Sequence, residues 1–355
     1  MQSEVEGGPD ADLTVSPSSP EGVATVLAYA SDRKLAVQVL GGGTHSGFGS
    51  PPRPDIVMSM DRLGEIEVWE PEDLTMVVGA GARVAQIESL LADENQTAVL
   101  PEVPGKSTVG GTISAGISAF RRGRLFGTRE RLLEATVVTG DGRLVRSGGR
   151  VVKNVTGYDL HRLQVGAFGS LGVIVSVCLK LWPAPPAAAT VTVRDLDQAD
   201  AAVRPLAVLE ENDRIRVFVW GTDDEVAAKV DRLGGAAVDG HDWPADPPGR
   251  FRWSLRIPPA MTSEALGLIP DGWAVLALHR VGEVRMGSDD AERAGELRSW
   301  AESMGGSLVI SESPDGFDEL DPWGAIPPGA DIQRALIHQF DPARVINPGR
   351  LPGEL

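Results

Sequence analysis

Two glycine-rich stretches constrain this chain more than any other feature. The first, Gly41-Gly42-Gly43-Thr44-His45-Ser46-Gly47, leaves the run Leu35–Leu40, which reads as a strand, with no helical pattern directly behind it. The second is Pro104-Gly105-Lys106-Ser107-Thr108-Val109-Gly110-Gly111-Thr112-Ile113-Ser114-Ala115-Gly116. Glycine lets a backbone approach an anion closely, and the hydroxyls of Thr44, Ser46 and Thr108 add donors. Each loop alone is more often a plain turn. Together they can clamp a pyrophosphate from both sides.

Two other glycine signals fall away. Thr75–Arg83 carries Gly79 and Gly81, but Val84 stands where a dinucleotide fingerprint needs a third glycine or alanine. A plain β-turn-α unit remains. Gly105-Lys106-Ser107-Thr108 ends like a Walker A loop, yet Leu100 occupies the leading glycine position, and Pro101 and Pro104 remove two N–H donors. Nucleotide triphosphatase chemistry is excluded.

The net charge of −17 argues against nucleic acid as a partner. It does not argue against a diphosphate held by backbone N–H groups. The one cysteine, Cys178, can form neither an internal disulfide nor an iron–sulfur site by itself, and it reads as a small buried hydrophobe. Met1–Asp12 is acidic and lacks an apolar stretch, so it reads as a flexible tail and not a signal peptide. No run reaches the length of a membrane span. A cytoplasmic protein is expected.

At 355 residues the chain can fill two cores. Strands and helices alternate from Leu13. Glu21–Ser31 reads as a helix capped by Ser19, Thr75–Val78 as a strand, and Val84–Ala92 as a helix. Ala135–Thr139 and Arg143–Ser147 flank the hairpin signal Gly140-Asp141-Gly142, and Leu171–Leu181 is a long strand candidate. Pro183–Ala189 marks a boundary. Beyond it, Ile215–Trp220, Arg252–Ile257 and Trp273–His279 read as strands and Asp289–Met304 as a helix, the rhythm of a smaller antiparallel α+β unit. Leu336–Pro348 reads as a short helix and turn. No internal repeat shows in the sequence.

The two loops are followed by Gly148-Gly149-Arg150-Val151-Val152-Lys153-Asn154-Val155-Thr156-Gly157-Tyr158-Asp159-Leu160, by Gly169-Ser170-Leu171-Gly172-Val173-Ile174 and by the closing Phe340–Leu351 run with Asn347-Pro348-Gly349. This ordered series resembles the vanillyl-alcohol-oxidase/p-cresol-methylhydroxylase-type (PCMH-type) FAD domain, and within it the FAD-binding (E-type) subunits of bacterial glycolate oxidase. The likeness is dense over Val15–Pro183 and Ala335–Leu351 and loose between.

The resemblance implies an α+β fold, with a two-lobed FAD domain over 13–182 and a smaller ferredoxin-like cap over 183–330. Residues 331–355 would dock back on the FAD domain, and residues 1–12 would form the tail. It implies non-covalent FAD, with Gly41, Gly42, Gly43, Thr44, His45 and Ser46 and Pro104, Gly105, Thr108, Val109, Gly111, Ala115 and Gly116 at the diphosphate and ribityl chain. Gly127, Val173 and Ile174 would lie near the adenosine half, and Lys153, Asn154, Tyr158 and Asn347 near the ring. Some relatives attach FAD through a histidine directly after a Gly-Gly pair; here Thr44 intervenes before His45, which reads as an ordinary polar loop residue.

The chain departs from this pattern in the cap. Catalytic D-2-hydroxy-acid dehydrogenases of the superfamily resemble one another in a His-x-Gly-Asp-Gly-Asn-x-His stretch, whereas Ala277–Arg285 offers only His279. No metal site follows from it. Arg252, Arg256 and Arg280 could bind a substrate carboxylate, and Tyr158 is a further weak catalytic candidate. Alternation sends Arg252, Ser254 and Arg256 to one face, a pattern that by itself favours a solvated surface over a site. His161 and His338 read as packing or surface groups.

A 2-hydroxy acid such as glycolate is the implied electron donor. A second FAD subunit and an iron–sulfur subunit are the implied partners, through which the chain could sit peripherally at a membrane. A stand-alone oxidase of another alcohol or sugar acid and a non-catalytic electron-transfer subunit stay open.

Overall fold

The computed structural model describes residues 13–50, 53–103, 105–150 and 157–354. The chain opens with strand β1 (Leu13–Val15), helix α1 (Pro20–Arg33) and strands β2 (Val37–Leu40) and β3 (Ile56–Ser59). Helix α1 starts where Ser19 accepts a hydrogen bond from the Gly22 N–H, with Pro20 at the first helical position, and stops at a left-handed Lys34. The three strands pair in parallel in the order β1-β3-β2. Val23 and Leu27 pack on Val37 and Met58 to form the core of this first lobe.

The second lobe holds β4 (Ile66–Glu70), β5 (Thr75–Gly79), α2 (Val84–Asp93), β6 (Gln96–Thr97), α3 (Val109–Ala115), α4 (Arg122–Leu125) and α5 (Thr128–Arg131). It continues through β7 (Leu132–Val138), β8 (Leu144–Gly148) and β9 (Val173–Lys180). An antiparallel sheet runs β4-β5-β9-β7-β8. Its inner face and α2 bury Met76, Leu91, Ile113, Leu132 and Leu179. Cys178 is buried on β9, and burial pushes its thiol up to about 11. A short ribbon of β6 with β10 (Trp182–Pro183) leads out of the lobe.

The next unit runs β11 (Ala187–Val193), α6 (Leu196–Ala199), β12 (Ala207–Glu211), β13 (Arg214–Gly221), α7 (Asp223–Leu233) and β14 (Ala236–Asp239). Its strands lie in the order β14-β11-β13-β12, all antiparallel, which is the ferredoxin-like arrangement. The same βαββαβ order then repeats. It comprises β15 (Phe251–Arg256), α8 (Thr262–Leu266), β16 (Ala274–Leu278), β17 (Glu283–Ser288), α9 (Ala294–Ser303) and β18 (Ser307–Glu312), in the order β16-β17-β15-β18.

The two units join edge to edge, with Leu209 of β12 opposite Leu278 of β16, into one eight-stranded sheet. The cap is therefore a tandem of two ferredoxin-like units. This repeat lies in topology and not in sequence, because the two cores differ. Small aliphatics such as Val191 and Val217 fill the first, and Trp253 stacked on Trp273 fills the second.

Helix α10 (Ala330–Phe340) begins earlier than the expected Leu336 and ends before Pro342, because the residue before a proline disfavours helical geometry. Beyond it the chain returns to the first lobe. Ile346 bridges Val37 in parallel, the Asn347 N–H donates to the Val37 carbonyl at 2.8 Å, and the Asp341 carboxylate accepts from the Ile346 N–H at 2.7 Å. Among the described residues no helix is long and apolar enough to cross a membrane.

Candidate cofactor and substrate site

The two glycine stretches meet between the lobes. A Cβ added at Gly41 would fall on the Thr108 hydroxyl, and one added at Gly42 on the Lys106 carbonyl, so the loops pack backbone against backbone. The Thr44 and Ser107 hydroxyls are 2.9 Å apart across the seam, and Thr108 caps α3 by accepting from the Gly111 N–H.

A cavity opens here. Its wall brings together Gly41, Gly42, Gly43, Thr44, His45, Ser46, Thr108, Gly111, Ala115, Val173, Ile174 and Asn347, along with Gln38, Ser114, Phe168 and Arg350. Asn347 is fixed on two sides, donating to the Phe168 carbonyl at 2.9 Å and accepting from the Val39 N–H at 3.0 Å. Among the described lining residues there is no acid. Glycines that exclude a Cβ, hydroxyl donors and a buried arginine suit a diphosphate.

Several sequence expectations lie elsewhere. Val109 is fully buried in the second-lobe core, Gly127 packs beside Ser118, and Gly105 faces open space. Gly116, in a left-handed conformation after α3, lines a different cavity. Tyr158 is 86% exposed and lines neither this cavity nor the one that Gly116 lines. Arg280 is half exposed and pairs with Asp200 at 2.7 Å, away from the site. His279 is buried against Glu210 at 2.7 Å, near the seam of the two cap units. Pro104, Lys153 and Asn154 fall outside the described residues. Among the described residues no group of three or more His, Cys, Asp or Glu could hold a metal.

The second cavity, about 370 Å³, lies between the lobes and the second cap unit, and it meets the first at Thr44 and His45. Arg252, Ser254 and Arg256 of β15 face it, so the alternating face of that strand is cavity wall and not merely solvated sheet. Periodicity picks out such a face, but only the position of the lobes opposite decides what it meets.

The cavity is rich in charge. Glu283 is gripped by Arg122 at 2.5 Å and Arg285 at 2.8 Å, and Arg285 reaches Asp246 at 2.8 Å. Burial would raise the Glu283 carboxyl, but Arg285, Arg122 and Arg256 outweigh it and hold it at about 2. Arg252 pairs with Glu312 at 2.9 Å. Arg256 forms no ion pair among the described residues and is exposed to the cavity.

His45 is the neutral titratable group. Burial lowers its pKa, with Asp246 raising it and Arg285 lowering it further. Its Nε2 is buried without a hydrogen-bond partner among the described residues, and its ring meets Phe48 edge-on at 6.2 Å.

Residues 11–148 match the family model described as FAD binding domain. Both glycine loops lie within that match, which marks this part of the chain as an FAD-binding domain. FAD is its cofactor. The chain is 28% identical over 316 residues to glycolate oxidase subunit GlcE of Escherichia coli (strain K12), covering 81% of this chain and 84% of that protein. It is 33% identical over 174 residues to a D-lactate dehydrogenase of Archaeoglobus fulgidus, covering 48% of this chain and 39% of that protein.

A D-2-hydroxyglutarate dehydrogenase of Xanthomonas citri pv. viticola is 31% identical over 211 residues, covering 58% of this chain and 44% of that protein. The chain thus matches less than half the length of these two dehydrogenases. Among solved structures, an alkyldihydroxyacetonephosphate synthase superposes with a TM-score of 0.68 at 14% identity, covering 94% of this chain and 75% of that one. That likeness establishes the fold.

Proposed function

We propose that this chain is the FAD-binding subunit of a glycolate-oxidase-type 2-hydroxy-acid dehydrogenase and binds the hydroxy acid in its second cavity. The observation that carries this reading is a cavity lined by four arginines that shares Thr44 and His45 as wall with the glycine-loop cavity. FAD supplies the two-electron acceptor.

The protein's own groups would do the rest. Arg256, free of an internal ion pair among the described residues, receives the substrate carboxylate, with Arg252 beside it. His45 takes the hydroxyl proton, since burial keeps its imidazole neutral and its Nε2 lacks a partner among the described residues. The cap walls the site from bulk water.

In this reading the domains divide at 13–182, 183–330 and 331–355, and FAD is held without a covalent bond. Electrons leave through a second flavoprotein subunit and an iron–sulfur subunit, in the cytoplasm or at the membrane surface through those partners. Relatives of both glycolate oxidase subunit types support the complex: GlcE above, and GlcD of Bacillus subtilis, 29% identical over 178 residues. The arginines facing the cavity also suit a stand-alone oxidase. Anaerobic addition of glycolate, lactate or 2-hydroxyglutarate to the flavin-loaded chain tests the reading, alone and with partner subunits. Bleaching of the flavin by at least one of them is expected. No bleaching by any, in either state, contradicts it.

A further inference from the structure

The glycine-loop cavity concentrates its formal charge at one residue. Its described wall consists of glycines, apolar groups, hydroxyls, two amides, the neutral His45 and a single permanent cation, Arg350. Arg350 is only 6% exposed. It donates to the His45 carbonyl at 2.9 Å and to the Ser46 carbonyl at 2.7 Å, and it lies 5.9 Å from the centre of the Phe168 ring. Those contacts satisfy hydrogen bonds but not charge. No acid pairs with it among the described residues, although the chain carries 50 acidic side chains. Burial alone lowers its pKa, to about 10, which leaves it protonated at neutral pH.

A buried guanidinium without a counter-ion is costly. Its persistence on a cavity wall calls for an anion supplied from outside. We propose that Arg350 is the counter-charge against which the diphosphate of FAD is bound. It rests on FAD occupying this cavity.

The position of Arg350 adds a consequence. It stands three residues after Asn347, on the segment that returns to the first lobe through Ile346 and Val37, and its own carbonyl accepts from Trp323 Nε1 at 3.0 Å. The cofactor and the C-terminal segment therefore hold one another in place. Arginine suits the task because its planar fork can grip two loop carbonyls and still face a phosphate.

The test compares FAD with riboflavin, which has the ring but no phosphate, on flavin-free wild type, Arg350→Gln and Arg350→Lys. A mere clamp on the loop would affect both ligands alike, so the ratio of affinities isolates the charge. Arg350→Gln should lower the preference for FAD over riboflavin by roughly 10- to 100-fold, the scale of a charge-assisted bond, with riboflavin binding nearly unchanged. Arg350→Lys keeps the charge and should keep most of the preference. It also decides the matter should the glutamine variant not fold. Equal weakening of both ligands, an unchanged preference in Arg350→Gln, or a lost preference in Arg350→Lys would overturn the assignment. Wild type that binds no FAD would overturn the occupancy of the cavity as well, and the control alone reveals that case.

Discussion

Arg122 on α4 and Glu283 on β17 join the FAD-binding domain to the cap at 2.5 Å, inside the cavity proposed for the substrate. Arg285 holds the same carboxylate from the other side. Removing the charge while keeping the shape, in Glu283→Gln, leaves two cations without their shared anion. The expected cost is about 3–5 kcal/mol of stability, as for other broken buried pairs. Denaturant unfolding measures it, and a loss under about 1 kcal/mol would mean that the pair contributes no more than surface bridges do.

The sign of the pH dependence follows from the same pair. The Glu283 carboxyl is held at about 2 in the folded state, below its ordinary 4.5, so its stabilisation is present above 4.5 and is lost as pH falls towards 2. Acid titration of the melting temperature should show wild type falling through that window more steeply than Glu283→Gln.

The glycine loops, the hairpin and the returning C-terminal segment were legible because each is a contiguous run whose residue types serve one purpose. The cap was harder. Its duplication leaves no trace in sequence, since sheet order depends on which edges meet and not on which residues fill each core. Arg252 and Arg256 were visible as a face, but what that face meets depends on the lobes opposite, where His45 and Gly116 line the same cavity. Arg350 went unassigned although the closing signature contains it, because nothing local distinguishes a buried arginine from an exposed one. Tyr158 and Arg280, plausible by type, are aimed elsewhere by backbone geometry.

His241 provides a second pH handle. Burial holds its imidazole down at about 4, although it lies 3.2 Å from the Val219 carbonyl. The unfolded chain takes up the proton first, so stability should fall as pH drops from 6.5 to about 4. His241→Phe should flatten this part of the stability curve, and an unaltered slope would contradict the assignment.

Gly42→Ala would push a methyl onto the Lys106 carbonyl and force the two loops apart. FAD affinity should fall by roughly 100-fold or more, in line with the 1–3 kcal/mol and upward that overpacking costs. Titration of the flavin-free variant checks this, and circular dichroism should show the fold retained.

Arg256→Gln should raise KM for the hydroxy acid by roughly 10- to 100-fold through loss of a charge-assisted carboxylate contact, and FAD affinity should stay unchanged. Steady-state kinetics with the assembled enzyme separates the two. An unchanged KM would move the carboxylate to Arg252.

The most direct test is the visible spectrum of the purified chain before and after acid precipitation. A flavin band that passes into the supernatant is the predicted result, with FAD held between the loops by non-covalent contacts alone. Flavin retained in the pellet would mean a covalent bond and give His45 a different part. A chain that shows no flavin band, even after incubation with FAD, would contradict the account at its centre.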